Sequence, residues 1–232
     1  MPTPKLVQIE AWSASRLNDY EKCPQLAFYK HVQKLKEPGS AVMDRGGDIH
    51  KMGADFASGK TLLDLTRPRA CIPKELERFK QEFLALRRVK PKVEQQAAFT
   101  REWKPTGWFD TNAWVRVILD AQYYDPKVRT AHVIDYKTGK IYEDHKDVAK
   151  LYALAAFILY PEAVAVRTNY WYLDLGVEHP TDFARADVPA LKKYWEKRTK
   201  PMLADTRFNP NPGRHCSWCF FSHTKDGPCK AG

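Results

Sequence analysis

No apolar stretch in this sequence approaches the roughly 18 residues needed to cross a bilayer. The longest, Leu151 to Tyr160, is rich in alanine and stops at Pro161. The opening segment MPTPKLVQIEAW has no long apolar core of the secretory kind, so an intracellular protein with no membrane partner is expected. GxxxxGK[ST] is missing, which argues against an attached helicase motor. There is no internal repeat and no low-complexity segment. Cysteine is scarce, five in 232 residues, and in an intracellular chain these argue against a disulfide framework. Acidic residues are outnumbered, 28 against 38 basic ones, and the net charge of +10 points to a polyanionic partner. A solvated basic surface would give the same charge, so charge needs chemistry beside it.

What is present reads as one domain over 1–232, long enough to bury a real core. Ser13 caps a first helix carrying Leu17 and Tyr20, and Pro24 opens a second with Cys23 at its N-terminus. Glu37 to Ser40 reads as a loop. Ile49, Met52 and Phe56 keep helical spacing between about Arg45 and Ala57, and Leu76, Phe79, Phe83 and Leu86 do so after Pro73. Val93 to Trp103, Trp114 to Tyr124 and Thr130 to Lys137 are strand-like, the last two joined by a hairpin at Asp125 to Arg129. A helix from about Asp144 to Tyr160, a strand from Val164 to Leu175 and a helix after Asp187 follow, with Pro201 near its end. The tail from Asn209 is irregular. This order predicts an α/β or α+β domain around one mixed sheet flanked by helices.

Chemistry concentrates on the hairpin. Asp135 and Lys137, two apart on a strand, share a face. If Pro126 to Arg129 form a four-residue connection, paired residues sum to 255 and Asp120 stands opposite Asp135. Opposed like charges destabilise a hairpin. A divalent cation between them would offset the repulsion, and hard carboxylate oxygens suit Mg²⁺ or Mn²⁺. Lys137 could then orient a water or neutralise charge on a phosphodiester. The alternative is two aspartates that end their strands and face water.

Several motifs, in this order, resemble the PD-(D/E)XK nucleases, and within them the RecB-like branch. They are Ser13-Ala14-Ser15-Arg16-Leu17 with Tyr20 and Cys23-Pro24, then Arg45-Gly46-Gly47-Asp48-Ile49-His50. Leu119-Asp120, Asp135-Tyr136-Lys137, Leu151-Tyr152-Ala153-Leu154-Ala155 and Cys216-Ser217-Trp218-Cys219 with Cys229 complete the series. The resemblance implies a restriction-endonuclease-like core. It also implies metal ligation by His50, Asp120, Asp135 and the Tyr136 carbonyl, catalysis by Lys137, and a Tyr152 that touches the DNA backbone or supports the site. One departure is Val148, where the family often carries glutamine. From the residues alone, His50 reads as a histidine packed on a helix, and Glu94 as a surface glutamate rather than a supporting group.

Cys216-x₂-Cys219 lets two thiolates share one metal from a tight turn, Cys229 follows after nine residues, and Cys23 comes from the other end. Four thiolates suit a [4Fe–4S] cluster or tetrahedral zinc. With zinc, His215 or His223 could complete an all-C-terminal site that leaves Cys23 out. The resemblance favours the [4Fe–4S] cluster, a structural staple joining 1–35 to 205–232. Cys71 stands apart as a buried or surface thiol. The expected function is a Mg²⁺- or Mn²⁺-dependent DNA exonuclease or structure-selective nuclease, acting on DNA with single-stranded character or free ends. Recombination, repair, phage replication or CRISPR adaptation would supply its protein partners. The rivals are a non-catalytic DNA-binding module with a structural metal, and an RNA-directed nuclease.

Overall fold

A computed structural model describes residues 8–38, 41–60, 74–143 and 145–231. Ser13 caps α1 (Ala14–Lys22) by accepting from the Arg16 N–H at 3.3 Å, and Pro24 opens α2 (Pro24–Ala27). A π-helical turn (Phe28–Val32) continues α2. Next come α3 (Ala41–Ala57), a 3₁₀ turn (Lys74–Phe79) and α4 (Lys80–Arg88). Leu76, Phe79, Phe83 and Leu86 are all buried, as their spacing predicts. Cys71 and Asp144 lie outside the described residues, as do Gly39 and Ser40 of the expected loop.

The strands β1 (Lys92–Phe99), β2 (Pro105–Thr106), β3 (Val115–Asp125) and β4 (Thr130–Lys137) are antiparallel neighbours. After α5 (His145–Leu159), β5 (Ala165–Tyr172) returns parallel to β4, and β6 (Val177–Ala184) pairs antiparallel on its far side. The sheet order is β2-β1-β3-β4-β5-β6. A mixed six-stranded sheet flanked by helices is therefore the α/β architecture expected of a restriction-endonuclease-like core. The last helix is α6 (Val188–Ala204). Two strands went unread in the sequence. β2 has only two residues, and β6 is exposed along almost its whole length, so it shows no apolar alternation to detect.

Each face of the sheet has its own core. On one, α1, α5 and α6 pack through Leu17, Leu151, Ala155, Leu191 and Trp195 onto Phe99, Val115, Val117 and Leu119. Trp12 sits fully buried there against Trp103, Trp114 and Trp195. On the other, Ile49, Phe56, Phe79 and Phe83 pack onto Ala121, Ile134, Tyr136 and Trp171. Arg185 spans the end of α5, donating to the carbonyls of Phe157, Tyr160 and Ala163. A guanidinium is well matched to the negative end of a helix. Among the described residues, no helix is long and apolar enough to cross a membrane.

Candidate active site

The hairpin register is the predicted one. Pairs run from Asp125↔Thr130 to Ala121↔Ile134, each summing to 255. The next opposed pair is Asp120 and Asp135, and there the ladder stops, although β3 reaches back to Val115 and β4 on to Lys137. The Tyr136 N–H is instead accepted by Asp120 Oδ2 at 2.9 Å. Beyond this point the N-terminal segment takes the place beside β3: Trp12 bridges Val115, and the Arg116 N–H donates to the Trp12 carbonyl at 2.8 Å. Asp120 and Asp135 thus stand in the fork where two strands part.

Regular alternation fails at the fork. Val115, Val117 and Leu119 face the first core but Ala121 faces the second, so the switch falls at Asp120. On β1, Ala97 and Phe99 face the first core while Val93 packs on the second, and between them Glu94 has φ +47. Glu94 sits between Val93↔Ala121 and Gln95↔Leu119, level with Asp120. A left-handed glutamate costs roughly 1–3 kcal/mol, and such strain gathers at functional sites. Its effect here is to turn Glu94 into the fork.

The ligand atoms of His50, Glu94 and Asp120 lie within 4.8 Å of one another, the one such trio among the described residues. His50 comes from α3, with Nδ1 3.0 Å from Asp120 Oδ2. It is therefore more than a histidine packed on a helix, and Glu94 is more than a surface residue. Asp135 lies beside the trio, 2 % exposed. It accepts from the Tyr152 hydroxyl at 2.7 Å and pairs with Lys137, whose Nζ also lies 5.4 Å over the Tyr170 ring. Tyr136 gives the fork only its backbone. Its ring is buried in the second core and packs so closely on α3 that a Cβ on Gly53 would lie 2.8 Å from it.

Electrostatics agree with a site built for a cation. Burial raises the Asp135 pKa and Asp120 adds to the effect, against the opposing charge of Lys137. Glu94 is raised by burial and then by Asp120. Burial pulls His50 down, but the hydrogen bond to Asp120 outweighs it and the net shift is upward. Each shift disfavours negative charge on crowded carboxylates, which a bound divalent ion would offset. Carboxylate and imidazole donors are the set that Mg²⁺, Mn²⁺ and similar ions accept.

At the opposite end of the chain, Cys23 packs with Leu26, Tyr29 and Phe221, and Cys219 and Cys229 pack against the same group. Tyr29 is raised by burial and by the neighbouring Cys229, Cys23 and Cys219. Backbone N–H groups of Asn211 and Gly213 point at Cys23 Sγ and Cys216 Sγ, each at 3.4 Å. Cys229 donates to Gln25 Oε1 at 3.3 Å. Gly227 makes the turn between Phe221 and Cys229 possible, since a Cβ there would lie 2.3 Å from the Phe221 carbonyl carbon. Cys23 belongs to this corner, so an arrangement confined to the tail would omit a sulfur already in place. These donors fit a thiolate-held metal group, and the N–H groups favour thiolate.

The profile of the PD-(D/E)XK nuclease superfamily matches residues 11–224. No curated protein matches the sequence significantly. Among solved structures, a Eubacterium rectale protein provisionally described as an exonuclease is similar at a TM-score of 0.53 and 11% identity. The match covers 90% of this chain and 87% of that one. The structure of SSO0001 is 15% identical over 96% of this chain and 87% of that one, at a TM-score of 0.42. The first likeness bears on the fold alone and the second is too low to bear on it. A family match over nearly the whole chain and carboxylates gathered at the strand fork lead to one conclusion: this protein belongs to the PD-(D/E)XK nuclease superfamily.

Proposed function

We propose that the chain is a DNA exonuclease that requires Mg²⁺ or Mn²⁺. The observation that carries this reading is the meeting of His50, Glu94, Asp120, Asp135 and Lys137 at one fork. His50, Asp120, Asp135 and the Tyr136 carbonyl would hold the ion, with Glu94 added from β1. The ion would supply Lewis-acid polarisation of a phosphodiester and a more acidic bound water.

Around it the protein's own groups have separate tasks. The Tyr152 hydroxyl fixes Asp135 in one orientation, which makes Tyr152 a positioning residue. Lys137 presents its ammonium beside Asp135, where it can orient the attacking water or balance charge growing on the phosphate. The Tyr136 N–H holds Asp120 toward the same point. Preference for strand ends is carried over from the description of the Eubacterium rectale protein. The digestion of end-labelled linear DNA beside a closed circle of the same sequence tests both parts. Metal-dependent loss of mononucleotides from the linear form alone is expected. Nicking of the circle would replace exonuclease by endonuclease, and no metal-dependent cleavage of either would remove the reading.

For the cysteine corner, the proposal is a [4Fe–4S] cluster held by Cys23, Cys216, Cys219 and Cys229. Two features support it: the thiols come from both ends of the chain, and no three of the four sulfurs lie within 4.8 Å of one another. Tetrahedral zinc would gather them to about 3.8 Å, given Zn–S bonds of about 2.3 Å.

A further inference from the structure

Away from Asp120 along β3, positive charge collects without an acidic partner. Arg116 precedes Asp120 by four residues, roughly 13 Å at 3.3 Å per residue. Arg16 approaches it from α1, and both are half-buried. They are close enough that Arg116, after burial itself, lowers the Arg16 pKa. Their hydrogen bonds go to neutral carbonyls, Arg16 to Ala11 at 2.6 Å and Arg116 to Trp108 at 2.8 Å. Among the described residues neither makes an ion pair. The nearest acid on this wall, Asp110, is already engaged by the Thr106 hydroxyl and the Gly107 N–H, both at 2.7 Å. Two crowded guanidinium groups with no counter-ion are unfavourable unless an anion lies between them.

The two arginines line two recesses at once. The inner one, about 380 Å³, has Ser15 and Ile118 on its walls and ends at Tyr152, whose hydroxyl holds Asp135. The outer one, about 320 Å³, opens past Lys34 to Phe109. Phe109 is 88% exposed, and Ile118 is 43% exposed although it lies on an inner strand. A single trough therefore leads from an exposed aromatic ring, across paired arginines, to the carboxylate fork. Phosphate-binding cations with an exposed aromatic ring are what an unpaired strand requires, since its bases are free to stack. In a duplex those faces are already occupied by neighbouring bases.

We infer that this trough seats the single-stranded part of the substrate, one phosphate between Arg16 and Arg116 and one base against Phe109, and feeds the strand past Tyr152. The inference rests on the nuclease reading of the fork and names the form of DNA that reaches it.

Fluorescence anisotropy of labelled oligothymidylate in EDTA measures the trough apart from cleavage. An Arg16→Gln, Arg116→Gln double variant should bind tenfold or more weakly, and its slope of log K against log salt should flatten by about 1.4, at about 0.7 per phosphate contact on a single strand. Phe109→Ala should lose about fivefold or more on oligothymidylate and nothing on an abasic strand. That ring is too exposed for its removal to unfold the chain, so this variant stands if the arginine variant folds poorly. Affinity unchanged in Phe109→Ala, or equal losses on duplex and single strand, would overturn the trough. Wild-type protein that shows these binding effects but no Mn²⁺-dependent cleavage would keep the trough and reject the nuclease. Normal cleavage by variants that bind normally would do the reverse.

Discussion

The carboxylate fork and the cysteine corner solve opposite problems. At the fork the fold forces like charges together. Asp135 is buried beside Asp120, Glu94 is held at positive φ, and the strand ladder ends early. At the corner the fold gathers neutral, soft donors among Leu26, Tyr29 and Phe221 and turns backbone N–H groups toward two of the sulfurs. Without its ion the fork is strained by its own charge, whereas the corner is a small apolar cluster whose loss would separate two ends of one chain. Removing a donor should therefore have opposite consequences in the two places.

The largest effects should come from the fork and appear in rate. Asp120→Ala should abolish cleavage, and Lys137→Ala should slow it by about 10²–10³-fold, the range for losing one preorganised charge-stabilising group. Neither should lower the melting temperature much. Glu94→Gln sharpens the contrast, because it removes a crowded charge while keeping shape. Metal-free Glu94→Gln should be as stable as wild type or more so, yet need more Mn²⁺ for half-maximal rate. A clear loss of stability would mean that Glu94 is a structural residue.

At the corner the readout reverses. Cys23→Ser should lose the bound metal and more stability than the roughly 0.5 kcal/mol typical of a surface change, because cofactor binding adds to folding free energy. Cys216→Ser, Cys219→Ser and Cys229→Ser should match it, and Cys71→Ser should leave metal content intact. Iron and acid-labile sulfide in near-equal amounts support the cluster, and one zinc in colourless protein replaces it. Full metal retention in Cys23→Ser would remove Cys23 from the set.

A third substitution touches the fork through packing. Gly53→Ala places a methyl 2.8 Å from the buried Tyr136 ring. Overpacking of this kind costs about 1–3 kcal/mol, and urea unfolding should show it. His50, three residues earlier on α3, should shift with the helix, so the Mn²⁺ requirement should rise as well.

The smallest effect is on acid stability. Burial alone would raise the Asp19 pKa, but hydrogen bonds from His31 and Lys30 outweigh it and the net shift is downward. In Asp147 the hydrogen bond from Lys150 likewise outweighs burial. A carboxylate depressed in the folded state contributes stability above its unfolded value, near 4, and that stability is lost as pH falls through the folded value. Because both groups keep partial solvent access, each is worth about 1 kcal/mol or less. Urea midpoints should be level from pH 7 to 5 and fall below about pH 4. Asp19→Asn should flatten the fall.

Much of this comparison was legible in the residue order. A four-residue connection fixes the hairpin register by counting, so Asp120 meets Asp135 without any coordinates, and Asp135 with Lys137 follow from strand period alone. Cys23 could be joined to the tail only through the family pattern, because chain separation hides contact. Glu94 was misread for a physical reason. It lies in no motif, and its place in the fork depends on a positive φ that no rule for glutamate anticipates. The usable signal was its position: with β1 laid antiparallel to β3, Glu94 falls level with Asp120. Edge strand β6 escaped because it has almost no buried side to leave a pattern.

The central claim is that the strand fork binds a divalent ion. Calorimetric titration of Mn²⁺ into the metal-stripped fork, with the cysteine corner left loaded, tests it most directly. The account predicts saturable binding that disappears in Asp120→Ala and weakens in both His50→Ala and Glu94→Gln. Binding of equal strength in wild type and Asp120→Ala would contradict it.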